Sequence, residues 1–126
     1  MSLEPGPGPR TDTGIEVYPE GLLQMAQRVW RRYQLPITVT ENGVADATGE
    51  LRPEYLRSHL YAVAEANRQG IPINGYFHWS LMDNFEWAEG YEYRFGLYRV
   101  DYETYARTPG VAVDEFRRLA ELLGSE

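Results

Sequence analysis

Residues 37–43, ITVTENG, and residues 71–79, IPINGYFHW, decide the fold of this sequence. Both stretches are rich in β-branched and aromatic residues and are short enough to be buried strands. The segment between them, from Pro53 to Gly70, carries apolar residues at helical spacing. A strand, a helix and a second strand form a βαβ unit, which is parallel and right-handed by a wide margin.

Further elements are predicted on either side of this unit. We expect a helix that begins near Pro19, a short strand over residues 95–100 and a final helix around Phe116. Residues 1–14 hold three Pro and three Gly without an apolar run, which predicts a flexible leader. Residues 15–126 then form the folded domain.

The predicted parallel sheet is incomplete. A two-stranded parallel sheet offers little core and leaves two open edges, so it is typical of a piece of a larger fold. A complete (β/α)8 barrel needs roughly 250 residues, and this chain has 126. We therefore expect an α/β fold that belongs to something larger.

Composition excludes several classes of function. The net charge of -7 argues against nucleic acid as a partner, because phosphate binding needs clustered basic residues. The chain has no Cys and two His, and all twelve basic residues are Arg, so neither a metal site nor Schiff-base chemistry is expected. We expect His59 to be packed or solvated within its helix. Alternation along the strand turns His78 to the face opposite Trp79. We expect no cofactor.

No stretch approaches the 18 consecutive apolar residues of a transmembrane helix, so a membrane is not an expected partner. The first fourteen residues also lack the apolar core of a signal peptide, and we expect a cytoplasmic protein on that ground.

Candidate chemistry lies where the two long strands end. The carboxyl ends of parallel strands gather at one edge, which brings Glu41 and Trp79 together. A carboxylate beside an indole face is typical of a sugar site, and Asn84, Glu86 and Trp87 add polar groups nearby. Two alternatives remain open from spacing alone. Asn-Gly is a common hairpin turn, so Glu41 could be a solvated turn residue, and the tryptophans could belong to the core.

A resemblance to a known family favours the catalytic interpretation. Residues 15–109 resemble the C-terminal part of the family 1 glycoside hydrolases, the β-glucosidase family of (β/α)8 barrels. The matching stretches are ITVTENG at 37–43, GYFHWSLMDNFEW at 75–87, Gly90-Tyr91 and RFGL at 94–97. The resemblance implies a fold class of α/β type, an incomplete (β/α)8 TIM barrel with strands seven and eight and their flanking helices.

The same resemblance implies roles for five residues. Glu41 corresponds to the catalytic nucleophile at the end of strand seven, and Trp79 to the platform beneath the sugar. Glu86 matches the carboxylate that binds distal sugar hydroxyls, Trp87 its neighbouring indole donor, and Phe95 an apolar wall. The substrate implied is a β-glucoside or an oligosaccharide.

Two departures from the family pattern stand out. The tail, TPGVAVDEF at 108–116, lacks the usual Lys and later aromatic pair, so the terminal helix is expected to sit differently. No Asn-Glu-Pro motif, which carries the general acid/base of the family, occurs in the sequence. The chain is thus expected to be a C-terminal fragment of a retaining β-glycosidase that carries the nucleophile and is inactive alone.

A non-catalytic carbohydrate-binding or assembly fragment is the alternative, and a gene fragment without its own function is a third hypothesis. Expected partners are the sugar substrate and either further copies of the chain or a companion N-terminal half, because both sheet edges are open.

Overall fold

The structure is a computed structural model and describes residues 8–124. Its order is α1 (Pro19–Tyr33), β1 (Ile37–Asn42), α2 (Arg52–Arg68), β2 (Ile73–His78), a 3-10 turn (Trp87–Glu89), β3 (Tyr98–Val100), β4 (Arg107–Pro109) and α3 (Ala112–Leu123). The predicted order of helices and long strands is confirmed.

Strands β1 and β2 pair in parallel, as the βαβ pattern predicts. Their register is irregular at two points. Ile37 and Thr38 face Ile73 and Gly75, so β2 carries one extra residue there. Beyond Val39 the extra residue lies on β1. The two irregularities compensate, and both strands end together.

Apolar residues of the sheet pack beneath α1 and α2. Buried Ala26, Val63, Ala66, Ile71 and Ile73 form this core, and the partly buried side chains around it are Leu22, Leu23, Trp30, Ile37, Val39 and Tyr76. Trp30 of α1 thus packs on the helix side of the sheet. The helix layer, not a barrel interior, therefore covers most of the apolar strand residues.

A second, antiparallel sheet follows the parallel one. Tyr98, Arg99 and Val100 of β3 pair with Pro109, Thr108 and Arg107 of β4. The strand predicted over residues 95–100 is therefore shorter than expected, and it does not extend the parallel sheet. Helix α3 packs beside this hairpin, where Leu56, Leu97 and Ala112 form a small buried core with Phe116 at its edge.

Part of the expected leader is fixed to the domain. Within residues 8–14, the amide of Asp12 donates to the carbonyl of Ala45 at 3.0 Å, and its carboxylate accepts from the amide of Ala47 at 2.6 Å. The backbones of Arg10 and Glu16 form an isolated antiparallel β-bridge. Proline and glycine content predicted a flexible leader. Composition carries no information about long-range hydrogen-bond partners such as Ala45 and Ala47, so it did not reveal these contacts. Residues 1–7 lie outside the described part.

The loop before α2 is organised by a buried carboxylate. Asp46 is 5% exposed, and its side chain accepts from the amides of Gly49, Leu51 and Arg52, each at 2.9 Å. A carboxylate at this place satisfies amides that the first helical turn leaves without partners. It fixes the path of the chain from the end of β1 into α2.

Candidate active site

The ends of β1 and β2 meet through their backbones. The amide of Trp79 donates to the carbonyl of Asn42 at 3.1 Å. A β-carbon on Gly43 would overlap the carbonyl oxygen of Trp79, so only glycine fits at that position. The predicted meeting of the two strand ends is present, and it needs the Gly of the Glu-Asn-Gly sequence.

A β-bulge decides where Glu41 lies. Val39 faces Tyr76, whereas the next paired residue, Asn42, faces His78, so β1 has one residue more than β2 in this interval. Val39 and Asn42 consequently share a face, and Thr40 and Glu41 are left exposed between them. Bulges commonly re-aim side chains beside active sites. Here the bulge presents a carboxylate to the open side of the sheet.

The other side of this bulge is held by a buried hydroxyl. Tyr76 donates from its OH to Oδ1 of Asn42 at 2.7 Å. Burial raises the pKa of Tyr76, and burial also raises the pKa of Tyr55 to about 12, although contact with the Asn42 amide lowers it. Both phenols therefore stay protonated at neutral pH, and that of Tyr76 is the donor to Asn42.

Trp79 and Glu86 are joined by their side chains. The indole Nε1 of Trp79 donates to Oε1 of Glu86 at 3.3 Å. The amide of Glu86 in turn donates to the carbonyl of Gly90 at 2.7 Å, which fixes the loop on the far side. An apolar ring face and a carboxylate are thus placed next to each other, with the second oxygen, Oε2, available to a ligand.

Phe95 and Trp87 occupy different surroundings. The carbonyl of Phe95 accepts from the amide of Ser80 at 3.1 Å, which places this half-buried residue next to the Trp79 segment. Trp87 is 84% exposed and opens the 3-10 turn after Glu86. Trp79 and Glu86 are thus joined by their side chains and Phe95 is joined to the next residue, Ser80, through its backbone, whereas the indole of Trp87 extends into solvent.

Sequence reasoning assigned no role to Asp83 and Arg94, although both lie in the matching stretches. Their side chains form an ion pair at 2.9 Å, with the Asp83 side chain 2% exposed and that of Arg94 20% exposed. The carboxylate also accepts from the amides of Gly96 and Val100. An Asp within an otherwise aromatic and apolar stretch was the available signal. If such a carboxylate is buried it needs a cationic partner, because an unpaired buried charge is costly.

Both histidines are packed within the fold, His59 on α2 and His78 as the last residue of β2. His59 is buried and stacks on Tyr55, with ring centroids 3.8 Å apart, and burial lowers its pKa. His78 packs against Phe116 of α3, and burial together with the charge of Arg52 lowers its pKa to about 4. Both imidazoles are therefore neutral at pH 7.

The described residues offer neither a metal-binding cluster nor a membrane-spanning helix. Within residues 8–124, no cluster of three or more His, Cys, Asp or Glu is arranged to hold a metal ion. In the same part of the chain, no helix has both the length and the apolar character needed to cross a membrane.

An exposed carboxylate lies near the end of one parallel strand, and an indole–carboxylate pair follows the end of the next. Residues 4–121 match the model of glycosyl hydrolase family 1, and the chain belongs to that family.

Curated relatives and solved structures agree on this assignment. The chain is 50% identical over 96 residues to a β-galactosidase of Sulfolobus acidocaldarius, covering 76% of this chain and 20% of that protein. It is 47% identical over 108 residues to a β-glucosidase of Agrobacterium sp., covering 79% and 24%. The crystal structure of the β-glycosidase from the hyperthermophile Thermosphaera aggregans superposes with a TM-score of 0.90 at 46% identity, covering 95% of this chain and 25% of that one.

The chain spans about a fifth to a quarter of the length of these proteins. Its structure is a partial α/β fragment of the family.

Proposed function

We propose that the chain supplies the nucleophile and part of the sugar-binding subsite of a retaining β-glycosidase. In this account the fragment corresponds to strands seven and eight of a (β/α)8 barrel. Glu41 is the nucleophile, Trp79 the platform beneath the sugar, and Glu86 the acceptor for distal hydroxyls. Trp87 adds an indole donor and Phe95 an apolar wall.

The chemistry follows from the need for two carboxyl groups. A Glu41 carboxylate oxygen attacks the anomeric carbon as the bond to the leaving oxygen breaks, and a glycosyl ester forms. A second carboxylic acid, roughly 5 to 5.5 Å away in retaining enzymes, protonates the leaving oxygen and later activates the water that cleaves the ester. Glu41 returns to its carboxylate form in that last step.

The observation that carries the proposal is the 3.3 Å hydrogen bond between Trp79 and Glu86, formed next to the strand end that bears Glu41. The bond orients the indole and leaves Oε2 of Glu86 for a sugar hydroxyl. An indole face covers the apolar face of a pyranose, while the carboxylate selects its hydroxyls. A core Trp or a turn Glu would not require this arrangement.

The 126 residues of this sequence do not contain the family's general-acid motif. No Asn-Glu-Pro occurs in the 126 residues, and the relatives named above are four to five times longer than the segment they share with it. We infer that the acid and the remaining sugar ligands come from a separate segment of family 1 sequence. A β-glucoside or a closely related β-linked sugar is the proposed substrate, consistent with the names of the relatives.

Turnover by the chain alone and by a completed assembly tests this proposal. The N-terminal part of the Agrobacterium β-glucosidase, ending where the match begins, is co-expressed with the 126-residue chain, and hydrolysis of an aryl β-glucoside is followed. We expect negligible hydrolysis by the chain alone and measurable hydrolysis by the pair. Glu41→Gln removes this activity, whereas Glu50→Gln, at an exposed site away from the strand ends, retains it.

Hydrolysis by the isolated chain that Glu41→Gln abolishes would contradict the need for a second carboxyl group. Equal loss in the Glu41 and Glu50 variants would contradict the role of Glu41. Sugar binding without turnover by the pair would favour the carbohydrate-binding alternative.

A further inference from the structure

The residues proposed to hold the sugar lie on two separate segments. Trp79 and Glu86 belong to the loop that leaves β2, while Phe95 lies on the segment that leads into β3. Nothing in the covalent chain fixes these segments against each other, because an exposed turn around residues 87–93 connects them. Their relative position depends on contacts elsewhere.

Backbone hydrogen bonds join Ser80 and Leu81 to the segment of residues 95–98, and the Asp83 side chain adds three more contacts. Its carboxylate lies between the segments and accepts from the amide of Gly96 at 3.0 Å, the amide of Val100 at 3.2 Å and Nη1 of Arg94 at 2.9 Å. A β-carbon on Gly96 would overlap the amide nitrogen of Asp83, so the two backbones are in direct contact. Three donors from one segment thus converge on a single side chain of the other.

Arg94 extends the same connection. It donates from Nη1 to the carbonyl of Val100 at 2.9 Å, and its guanidinium carbon lies 4.4 Å from the ring centroid of Tyr102. The hydroxyl of Tyr102 donates to the carbonyl of Asn84 at 3.2 Å. Residues 83 and 84, three and two positions before Glu86, are therefore held from two directions.

The energetics of this ion pair favour a role in orienting the loop over a role in stabilising the fold. Burying an ion pair adds little net stability, since the desolvation of both charges offsets their attraction. Charge-assisted hydrogen bonds nevertheless impose a definite geometry on the groups they join. An apolar pair of the same volume would fill the space without fixing the direction of the loop.

We infer that Asp83 and Arg94 are a positioning pair that sets the Trp79–Glu86 hydrogen bond and thereby shapes the sugar subsite. Neither side chain touches the sugar in this account. The consequence for sugar binding rests on the proposed function, whereas the effect on the Trp79 indole does not. A purely structural pair would lower the melting temperature and leave that indole unchanged.

The test uses the full chain with nitrogen-15 in its tryptophan side chains. The three indole N–H resonances of Trp30, Trp79 and Trp87 are assigned by substitution, and their hydrogen exchange is measured well below the melting temperature. Glu86→Gln shows what weakening the partner of Trp79 does. Trp30, packed on the helix side of the sheet, is the internal reference.

In Asp83→Asn we expect the Trp79 indole to exchange about tenfold faster than in the parent chain, the factor that corresponds to losing one good hydrogen bond, with Trp30 unchanged. Arg94→Lys keeps the positive charge but loses the planar guanidinium, so we expect a smaller increase in the exchange rate of the Trp79 indole. This variant replaces Asp83→Asn in the test if Asp83→Asn does not fold. Asp114→Asn breaks an exposed ion pair with Arg117 and is the matched control.

Unchanged Trp79 exchange in a folded Asp83→Asn or Arg94→Lys chain would overturn the inference, even with a lower melting temperature. Equal acceleration of Trp30 and Trp79 would overturn it as well, because that pattern reports general loosening. Absence of sugar binding by the parent chain completed with its companion segment would contradict the proposed function and leave this readout intact.

Discussion

A β-carbon on Gly43 would occupy the place of the Trp79 carbonyl oxygen, so the residue after Asn42 and the residue after β2 are in direct backbone contact. The contact joins the two strand ends that carry Glu41 and Trp79. No rotation of a side chain relieves this overlap, because the opposing atom belongs to the backbone.

Gly43→Ala is expected to separate the strand ends. Overpacking against backbone costs about 1 to 3 kcal/mol and sometimes more, and we expect a loss of unfolding free energy at or above the upper end of that range in urea titration. Gly21→Ala is the control, because its β-carbon meets only the flexible ring of Tyr18 within helix α1. Equal stability of the two variants would contradict the close approach.

The separation of core and site predicts opposite effects for two tryptophans. Trp30→Ala should lower the free energy of unfolding by about 2 to 3 kcal/mol, less than the loss for a fully buried indole because Trp30 is only partly buried. Trp79→Ala should instead weaken the binding of a glucose analogue to the completed assembly, with a smaller loss of stability. Calorimetric titration and thermal melts of both variants check this. Weaker binding in Trp30→Ala together with a larger loss of stability in Trp79→Ala would contradict the assignment of Trp30 to the core and Trp79 to the site.

Neutral His78 predicts a loss of stability in mild acid. The folded pKa is lowered to about 4 from an ordinary value of 6.5. Stability is therefore fully present above pH 6.5 and falls as the pH drops towards 4, because only the unfolded chain takes the proton. Between pH 7 and pH 5 the His78 contribution is about 2 kcal/mol.

Urea titrations of the parent chain and of His78→Gln at both pH values measure this contribution. His59 shifts in the same direction, so the variant should retain part of the dependence. An unaltered pH dependence in His78→Gln would show that this imidazole is not held neutral by the fold.

Open sheet edges predict self-association when no companion segment is present. Residues 8–124 contain a parallel sheet of two strands, each with one neighbour, and Phe77 of β2 is 62% exposed. Unpaired strand edges and exposed apolar surface favour pairing with another chain. Sedimentation at micromolar concentration should reveal species larger than a monomer, and a compact monomer with a cooperative melt would contradict this prediction.

The sequence was informative wherever a local pattern carries the answer. Periodicity placed α1, α2 and both parallel strands close to their observed bounds, because apolar spacing reflects which face is buried. The structure adds which layer covers that face: Ile37, Val39, Ile73 and Tyr76 pack in the core on the helix side, whereas Phe77 is 62% exposed.

Features that depend on distant partners were not predictable in the same way. The bulge that exposes Glu41 arises from the register between two strands, and strand period alone does not reveal register. The Asp83–Arg94 pair joins residues eleven positions apart. Strand β4 was missed because Arg107-Thr108-Pro109 is too short and too polar for a periodic signal.

Covalent trapping tests the assignment of Glu41 most directly. A 2-deoxy-2-fluoro-β-glucoside with a good leaving group is incubated with the assembly of this chain and the N-terminal part of the Agrobacterium enzyme. The fluorine slows hydrolysis of the glycosyl ester, so the sugar stays on the nucleophile as the leaving group departs. Mass spectrometry of the digested chain should find the 2-fluoroglucosyl group on Glu41. Attachment to Glu86 or another carboxylate, or an unlabelled chain in an assembly that turns over, would contradict the account.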